Sequence, residues 1–395
     1  MATLAAVMTG QSTSAIATIQ MVGQEAMTIV ERLFKPAGSK PRRLEPGAIL
    51  IGTLMDQEQS IDQIALACET PQVLNLHCHG NPLLTETIMA LLRRHGATLV
   101  GPRHLHAALL HTDRSLSTLA VEARLVLQTV KTLTGATLLE GQLHYGLTQW
   151  TQRWLVCSTI PMSQFTAECH HILERGHPAR YTLYGCTLVL AGPPNVGKST
   201  LLNSLTGRDN AIVTDVKGTT RDWIKATLSL DRLFLNVIDT AGLETSLPNE
   251  GADHPDKASQ ERTRQILDSA DLILLILDQN QPADQFESPW CSLLQHRRIL
   301  IVLNKADLPC RLTTTELPFP VEETISISAK NDQGLASLIT HIETELGIDT
   351  LDPKEPICFT DRQTQLMNTL SVCTAEPQIK HLLNDLLSGN PNDVK

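Results

Sequence analysis

The run Gly192-Pro193-Pro194-Asn195-Val196-Gly197-Lys198-Ser199-Thr200 limits what this chain can fold into more than any other stretch. It has the form G-x-x-x-x-G-K-[ST]. An apolar segment, Thr187 to Ala191, precedes it, and Leu201, Leu202 and Leu205 follow at helical spacing until Gly207. A strand that turns through glycines into a helix presents bare backbone N–H groups and the positive end of a helix dipole, a cradle for a polyphosphate. The binding positions are then Asn195, Val196, Gly197, Lys198, Ser199 and Thr200, with Lys198 reaching the β- and γ-phosphates and the Ser199 hydroxyl ligating Mg²⁺. A glycine-rich turn without a ligand is the competing reading, and the flanking strand and helix patterns weigh against it.

Further signals follow in order along the chain. Asp239-Thr240-Ala241-Gly242 leaves the end of an apolar strand, where the carboxylate can hold Mg²⁺ through water and the Gly242 N–H can sense a γ-phosphate. Asn304-Lys305-Ala306-Asp307 ends a second apolar strand. Asp307 can accept both guanine N1–H and the exocyclic amine, a pairing adenine cannot offer, and a carboxylate left unpaired costs several kcal/mol. Lys305 is expected along the base plane, and Ser328-Ala329-Lys330 after the last strand is expected to offer an N–H to the guanine oxygen. Together these motifs point to GTP and GDP rather than ATP. Gly218-Thr219-Thr220-Arg221-Asp222 lies where a switch segment belongs, and Thr220, or alternatively Thr219, can complete the Mg²⁺ shell while the γ-phosphate is present. Leu243 stands where many small GTPases place a water-orienting glutamine, and no arginine is evidently set as a finger, so both functions must come from elsewhere.

Around this block the 395 residues leave room for further domains. Residues 1–100 read as a small α+β domain. Strand-like runs are Ala15–Val22, Ala48–Leu54, Ile61–Cys68 and Val73–Cys78, with helices near Gln24–Phe34 and from Pro82 to Gly96. Residues 101–184 read as the first part of a helical domain. There a stripe from Leu116 to Leu133 is ended by Gly135, and further helices span Leu138–Cys157 and Met162–Leu173, the last stopped near Gly176. Residues 185–347 alternate strand and helix, which predicts a doubly wound, mainly parallel sheet. Residues 348–395 open on a proline-rich linker and continue as a short helical return with a polar tail. The fold class expected is therefore α/β: a P-loop domain inserted in a helical domain and preceded by a small α+β domain.

A net charge of −10 argues against coating nucleic acid non-specifically. Nine cysteines without a C-x-x-C pair indicate neither a zinc site nor a disulfide framework, and reduced thiols in a cytoplasm are the simplest expectation. No export signal or apolar run long enough to span a membrane is recognised. His104, His106, His111, His170 and His171 read as surface or satisfied side chains rather than metal ligands.

The set GPPNVGKST, AIVTDVKGTTRD, DTAGL, NKAD and SAK resembles the TrmE–Era–EngA group of bacterial GTPases, and within it the MnmE (TrmE) family of tRNA-modification GTPases. Val73-Leu74-Asn75-Leu76-His77-Cys78-His79-Gly80 followed by a helix is similar to that family's amino-terminal domain. The resemblance implies GTP hydrolysis stimulated by K⁺ through pairing of two nucleotide domains, with Asn195 and the carbonyls of Thr214 and Val216 as the K⁺ positions. It also implies a homodimer that binds a formylated tetrahydrofolate and works with a flavin-containing partner on the wobble uridine of tRNA. The catalytic set is then Lys198, Thr220, Gly242 and a water-orienting acid, Asp256 or, as the fallback, Glu250. Three departures stand out. The sequence closes on Asn392-Asp393-Val394-Lys395 where the family carries a Cys-x-Gly-Lys tail, the place of the water-orienting acid falls near Asp256 after an apparent insertion, and no PGEFT-like run follows Gly101; beside the K⁺ positions, Lys217 occupies a place that is usually small. A GTP-gated switch that binds RNA or ribosomes without modification chemistry is the alternative expectation.

Overall fold

The computed structural model describes residues 2–10, 12–38, 44–112, 116–207, 226–239, 257–283, 294, 296–313, 315, 317 and 323–389. They form two compact units that divide after Ser117.

The first unit is built on a seven-stranded sheet. Its elements in chain order are β1 (Leu4–Val7), β2 (Ile16–Val22), α1 (Ala26–Leu33), β3 (Phe34–Pro36), β4 (Ile49–Asp56), β5 (Gln59–Thr70), β6 (Val73–His79), α2 (Pro82–Arg94), β7 (Thr98–Leu99) and α3 (Pro102–Thr112). The strand order is β3-β4-β5-β6-β2-β1-β7, antiparallel except for the β1–β7 pair. Alternation along β2 turns Ala17, Ile19 and Met21 inward, where they meet Ile29, Leu66 and Leu91 beneath α1 and α2. α2 starts cleanly because the Asn81 side chain accepts the Leu83 N–H at 2.9 Å and Pro82 needs no partner for its nitrogen. β1 and β7 escaped the sequence reading because they are four and two residues long, too short for periodicity to register. Leu105 of α3 packs with Ala6, Val22 and Val73, so the boundary expected near residue 100 falls instead after this helix.

The second unit begins with α4 (Thr118–Leu127), α5 (Leu133–His144), α6 (Gly146–Val156) and α7 (Met162–Tyr184). The stripe ending at Gly135 is thus two helices, and Gly135 starts the second: its N–H donates to the N-cap Thr132 Oγ1 at 3.0 Å. Nor does Gly176 stop α7. An added Cβ would lie 3.3 Å from the Cys358 carbonyl, so the glycine permits a close crossing inside a helix that runs on through Pro178.

A six-stranded sheet follows, with β8 (Cys186–Ala191), α8 (Lys198–Thr206), β9 (Ala226–Ser229), β10 (Phe234–Asp239), α9 (Lys257–Asp268), β11 (Leu272–Asp278), β12 (Ile299–Asn304), β13 (Thr324–Ser326) and α10 (Leu335–Glu345). Its order is β13-β12-β11-β8-β10-β9, parallel apart from β9 against β10. β11 is buried along its whole length, as a strand covered on both faces must be, and its continuous Leu/Ile run reports this. One face packs against α8 and α10 through Leu201, Leu338 and Ile342, and the other against α9 through Ile266 and Leu267. This is the expected P-loop α/β architecture.

The chain then returns through α11 (Asp361–Val372) and α12 (Glu376–Ser388) to complete the helical core around Trp150, Trp154, Phe165, Phe359 and Met367. Buried Glu122 of α4 joins the two parts. Its carboxylate accepts from Arg362 Nε at 2.7 Å and Nη2 at 2.8 Å, from Gln363 Nε2 at 2.7 Å and from Thr360 Oγ1 at 3.1 Å. Gln142 does the same for the linker: its Nε2 donates to Pro353 O and Glu355 O, and its Oε1 accepts from Leu147 N and Ile357 N. Among the described residues no helix is long and apolar enough to cross a membrane.

Candidate nucleotide site

β8 delivers the chain to the phosphate loop between β10 and β11, where the strand connections change direction and open α/β sheets bind their ligands. α8 starts at Lys198, with Gly197 as its N-cap at φ +100°. A side chain at 197 would also run into Asn304 Nδ2, so glycine is required twice over. Asn195 holds φ +62°, a left-handed conformation that asparagine tolerates better than most residues. Lys198 is buried, and its ammonium donates to Gly192 O and Pro193 O, both at 2.8 Å. Ser199 Oγ donates to Asp239 Oδ2 at 3.0 Å, which brings two hard oxygen donors, of the kind Mg²⁺ prefers, together where α8 starts and β10 ends.

The base side is tied to the phosphate side through Asn304. Its Nδ2 donates to Val196 O at 2.7 Å while its Oδ1 accepts the Ala329 N–H at 3.0 Å. The expected Asn304 is therefore a bridge between three loops. The Ala329 N–H is thereby engaged within the protein, as is that of Ser328, which donates to Gln333 O at 3.1 Å. Ser204 of α8 adds a second tie, donating to Ala329 O at 2.6 Å. Ser328 Oγ donates to Asp307 Oδ1 at 2.7 Å. That hydrogen bond, helped by Lys330 and Lys305, holds the Asp307 carboxyl below the ordinary carboxylate range.

Asn195, Val196, Gly197, Lys198, Ser199, Asp239, Asn304, Lys305, Asp307, Ser328, Ala329 and Lys330 all gather at this end of the sheet, with Thr200 in the first turn of α8. Thr214, Val216, Thr219, Thr220, Gly242, Glu250 and Asp256 lie outside the described residues. Sequence reasoning missed Asp278. It ends β11 directly opposite Asn304 in the β11–β12 register, and its Oδ2 accepts from Lys305 Nζ at 2.7 Å. The signal was there: an acid closing an otherwise apolar strand at the ligand end of the sheet.

The first unit carries a cavity of about 520 Å³ beside the start of α2. Ser12, Thr85, Glu86 and Arg93 supply polar groups to its wall, and Met89 and Leu99 supply apolar surface.

Comparison with known proteins agrees with this layout. The model for GTP-binding protein TrmE N-terminus matches residues 3–103, and that for 50S ribosome-binding GTPase matches residues 187–305. The chain is 26% identical over 436 residues to the tRNA modification GTPase MnmE of Enterococcus faecalis, covering 99% of this chain and 90% of that protein. It is 26% identical over 432 residues to the protein of that name from Bacillus subtilis, covering 100% and 91%. With the one from Syntrophobacter fumaroxidans it shares 29% over 371 residues, covering 83% and 77%. With its amino-terminal and nucleotide regions matched in order and the similarity running along nearly its whole length, the chain is similar to the MnmE (TrmE) family of tRNA modification GTPases.

Proposed function

We propose that the protein binds GTP at the end of its parallel sheet, hydrolyses it to GDP and phosphate, and uses that cycle in modifying the wobble uridine of tRNA. The observation that carries this reading is the gathering of three sets of contacts at one end of the sheet: Lys198 on Gly192 and Pro193, Asn304 between Val196 and Ala329, and Ser328 on Asp307. Lys198 and the α8 amides would hold the β- and γ-phosphates, and Asp307 with Lys330 would choose guanine. Ser199 and Asp239 suit Mg²⁺, which when bound would neutralise charge developing on the transferred phosphoryl group. Water adds to the γ-phosphorus as the β–γ anhydride bond breaks and GDP leaves, and a carboxylate, Asp256 or as the fallback Glu250, would orient that water.

Stimulation by K⁺ through paired nucleotide domains belongs to the same reading, with Asn195 as the described member of the Asn195, Thr214 and Val216 set. Such a cation would take the place of the arginine that the sequence does not supply. Pairing of two copies belongs to the same reading, and Ile49 and Ile51 of β4 stand exposed on the sheet face opposite buried Leu50 and Leu54. A formylated tetrahydrofolate suits the cavity of about 520 Å³: a carboxylate such as Glu86 matches the two adjacent N–H donors of a pterin edge, and Arg93 matches a carboxylate tail. A flavin-containing partner, tRNA as substrate and a cytoplasmic setting complete the proposal.

GTP turnover of the full chain in KCl against NaCl tests it. Faster turnover in KCl is expected. Equal rates would remove the cation from the mechanism, and no turnover in either salt would remove the hydrolase reading.

A further inference from the structure

Lys305 sits in an unusual place for a cation. Its backbone is left-handed, at φ +66°, and its side chain is only one-third exposed. Non-glycine residues keep that conformation where the surroundings impose it. Here the next residue fixes it, since Ala306 N donates to Ile327 O at 2.9 Å. The ammonium then meets Asp278 Oδ2 at 2.7 Å. Asp278 is itself held: its side chain is 7% exposed, and Oδ1 accepts the Asn280 N–H at 2.9 Å. Strand register places this carboxylate opposite Asn304, whose side chain bridges to the phosphate loop. One carboxylate oxygen is thus spent on the backbone turn and the other on the lysine.

We propose that Asp278 is a positioning residue for guanine nucleotides: by anchoring the Lys305 ammonium it lays the lysine's methylene stem flat, as a ready-made surface for the purine face. This rests on the nucleotide-site reading above. An unanchored lysine samples many rotamers and must lose them on binding, a loss that the ion pair takes in advance. Asp278 would then act on the base through Lys305, without touching nucleotide.

A double-mutant cycle tests this on the full chain, with binding of fluorescent N-methylanthraniloyl-GDP as the readout. Asp278→Asn preserves shape and the acceptor for the Asn280 N–H, and Lys305→Met preserves the apolar stem without the charge. Asp278→Asn is expected to weaken affinity about tenfold, the order of one well-placed interaction. In the Lys305→Met background the same change is expected to have no further effect. Lys305→Arg should retain most affinity while Asp278 is intact and lose it when combined with Asp278→Asn. A merely structural role for Asp278 would instead multiply its loss onto that of Lys305→Met, which would overturn the proposal, as would unaltered affinity in a folded Asp278→Asn protein. If Lys305→Met alone leaves affinity unchanged, the assignment of Lys305 to the base falls together with this inference. If Asp278→Asn does not fold, Lys305→Arg against Lys305→Met still decides: equal affinities mean that the charge Asp278 anchors is irrelevant, and the proposal fails.

Discussion

Removing the Asn304 side chain should separate the two halves of the nucleotide site. Asn304→Ala deletes the bond from Nδ2 to Val196 O and the bond from Ala329 N to Oδ1. Each is worth about 0.5–1.5 kcal/mol net, and the Ala329 N–H, in a residue only 1% exposed, loses its acceptor at a further cost of about 1–3 kcal/mol. Allowing for water reaching the orphaned amide, about 2–4 kcal/mol of loop organisation is lost, which corresponds to roughly a 30- to 1,000-fold weaker affinity for GDP. Isothermal titration with GDP measures it, alongside thermal unfolding with and without nucleotide. The expected pattern is a modest drop in melting temperature without nucleotide and a much smaller gain when GDP is added. Affinity within threefold of the parent chain, with normal melting, would refute the idea that Asn304 couples phosphate and base loops.

Three other outcomes follow from the geometry. Because hydrogen bonding from Ser328 lowers the Asp307 pKa, guanine binding should persist as pH falls through the ordinary carboxylate range and fail only below it. Ser328→Ala should move that acid limb to higher pH, and a pH titration of GDP binding that does not shift would count against the assignment. Arg362→Met leaves the buried Glu122 carboxylate without its counter-ion and should cost about 3–5 kcal/mol, whereas Glu122→Leu combined with Arg362→Met should recover most of it; urea unfolding followed by far-UV circular dichroism distinguishes the two. Lys198→Ala should abolish detectable GTP binding while the chain remains folded, and retained affinity in an equilibrium titration would remove the phosphate-loop assignment.

What could be read from the residues was local chemistry. A phosphate loop needs its glycines and lysine at fixed offsets, and an Asn-Lys-x-Asp motif closes its strand within four residues, so most of the site was legible at once. The glycines at 135 and 176 misled because helix-stop reasoning weighs only the local cost of glycine. Both also stand against chain that is remote in sequence: an added Cβ at 135 would crowd Thr182 O at 3.0 Å as well as nearby Val130 and Thr132, and one at 176 would lie 3.3 Å from Cys358 O. Asp278 escaped for the same reason, since its partner is set by strand register across the sheet. The Glu122–Arg362 pair has no periodicity to announce it, and only the folded bundle shows why a glutamate can sit there without water.

That pair joins residues 240 positions apart. A ribosome therefore finishes α4 to α7 long before the helices that complete their apolar surface exist. Closing so long a gap in a free coil is slow, but an intervening domain that has already folded brings its own ends close and shortens the search. The nucleotide domain would then serve as an assembly jig for the bundle that carries it. On this account a lesion in the parallel sheet would surface first as unfinished, chaperone-bound helices, and guanine nucleotide supplied during synthesis would speed their maturation.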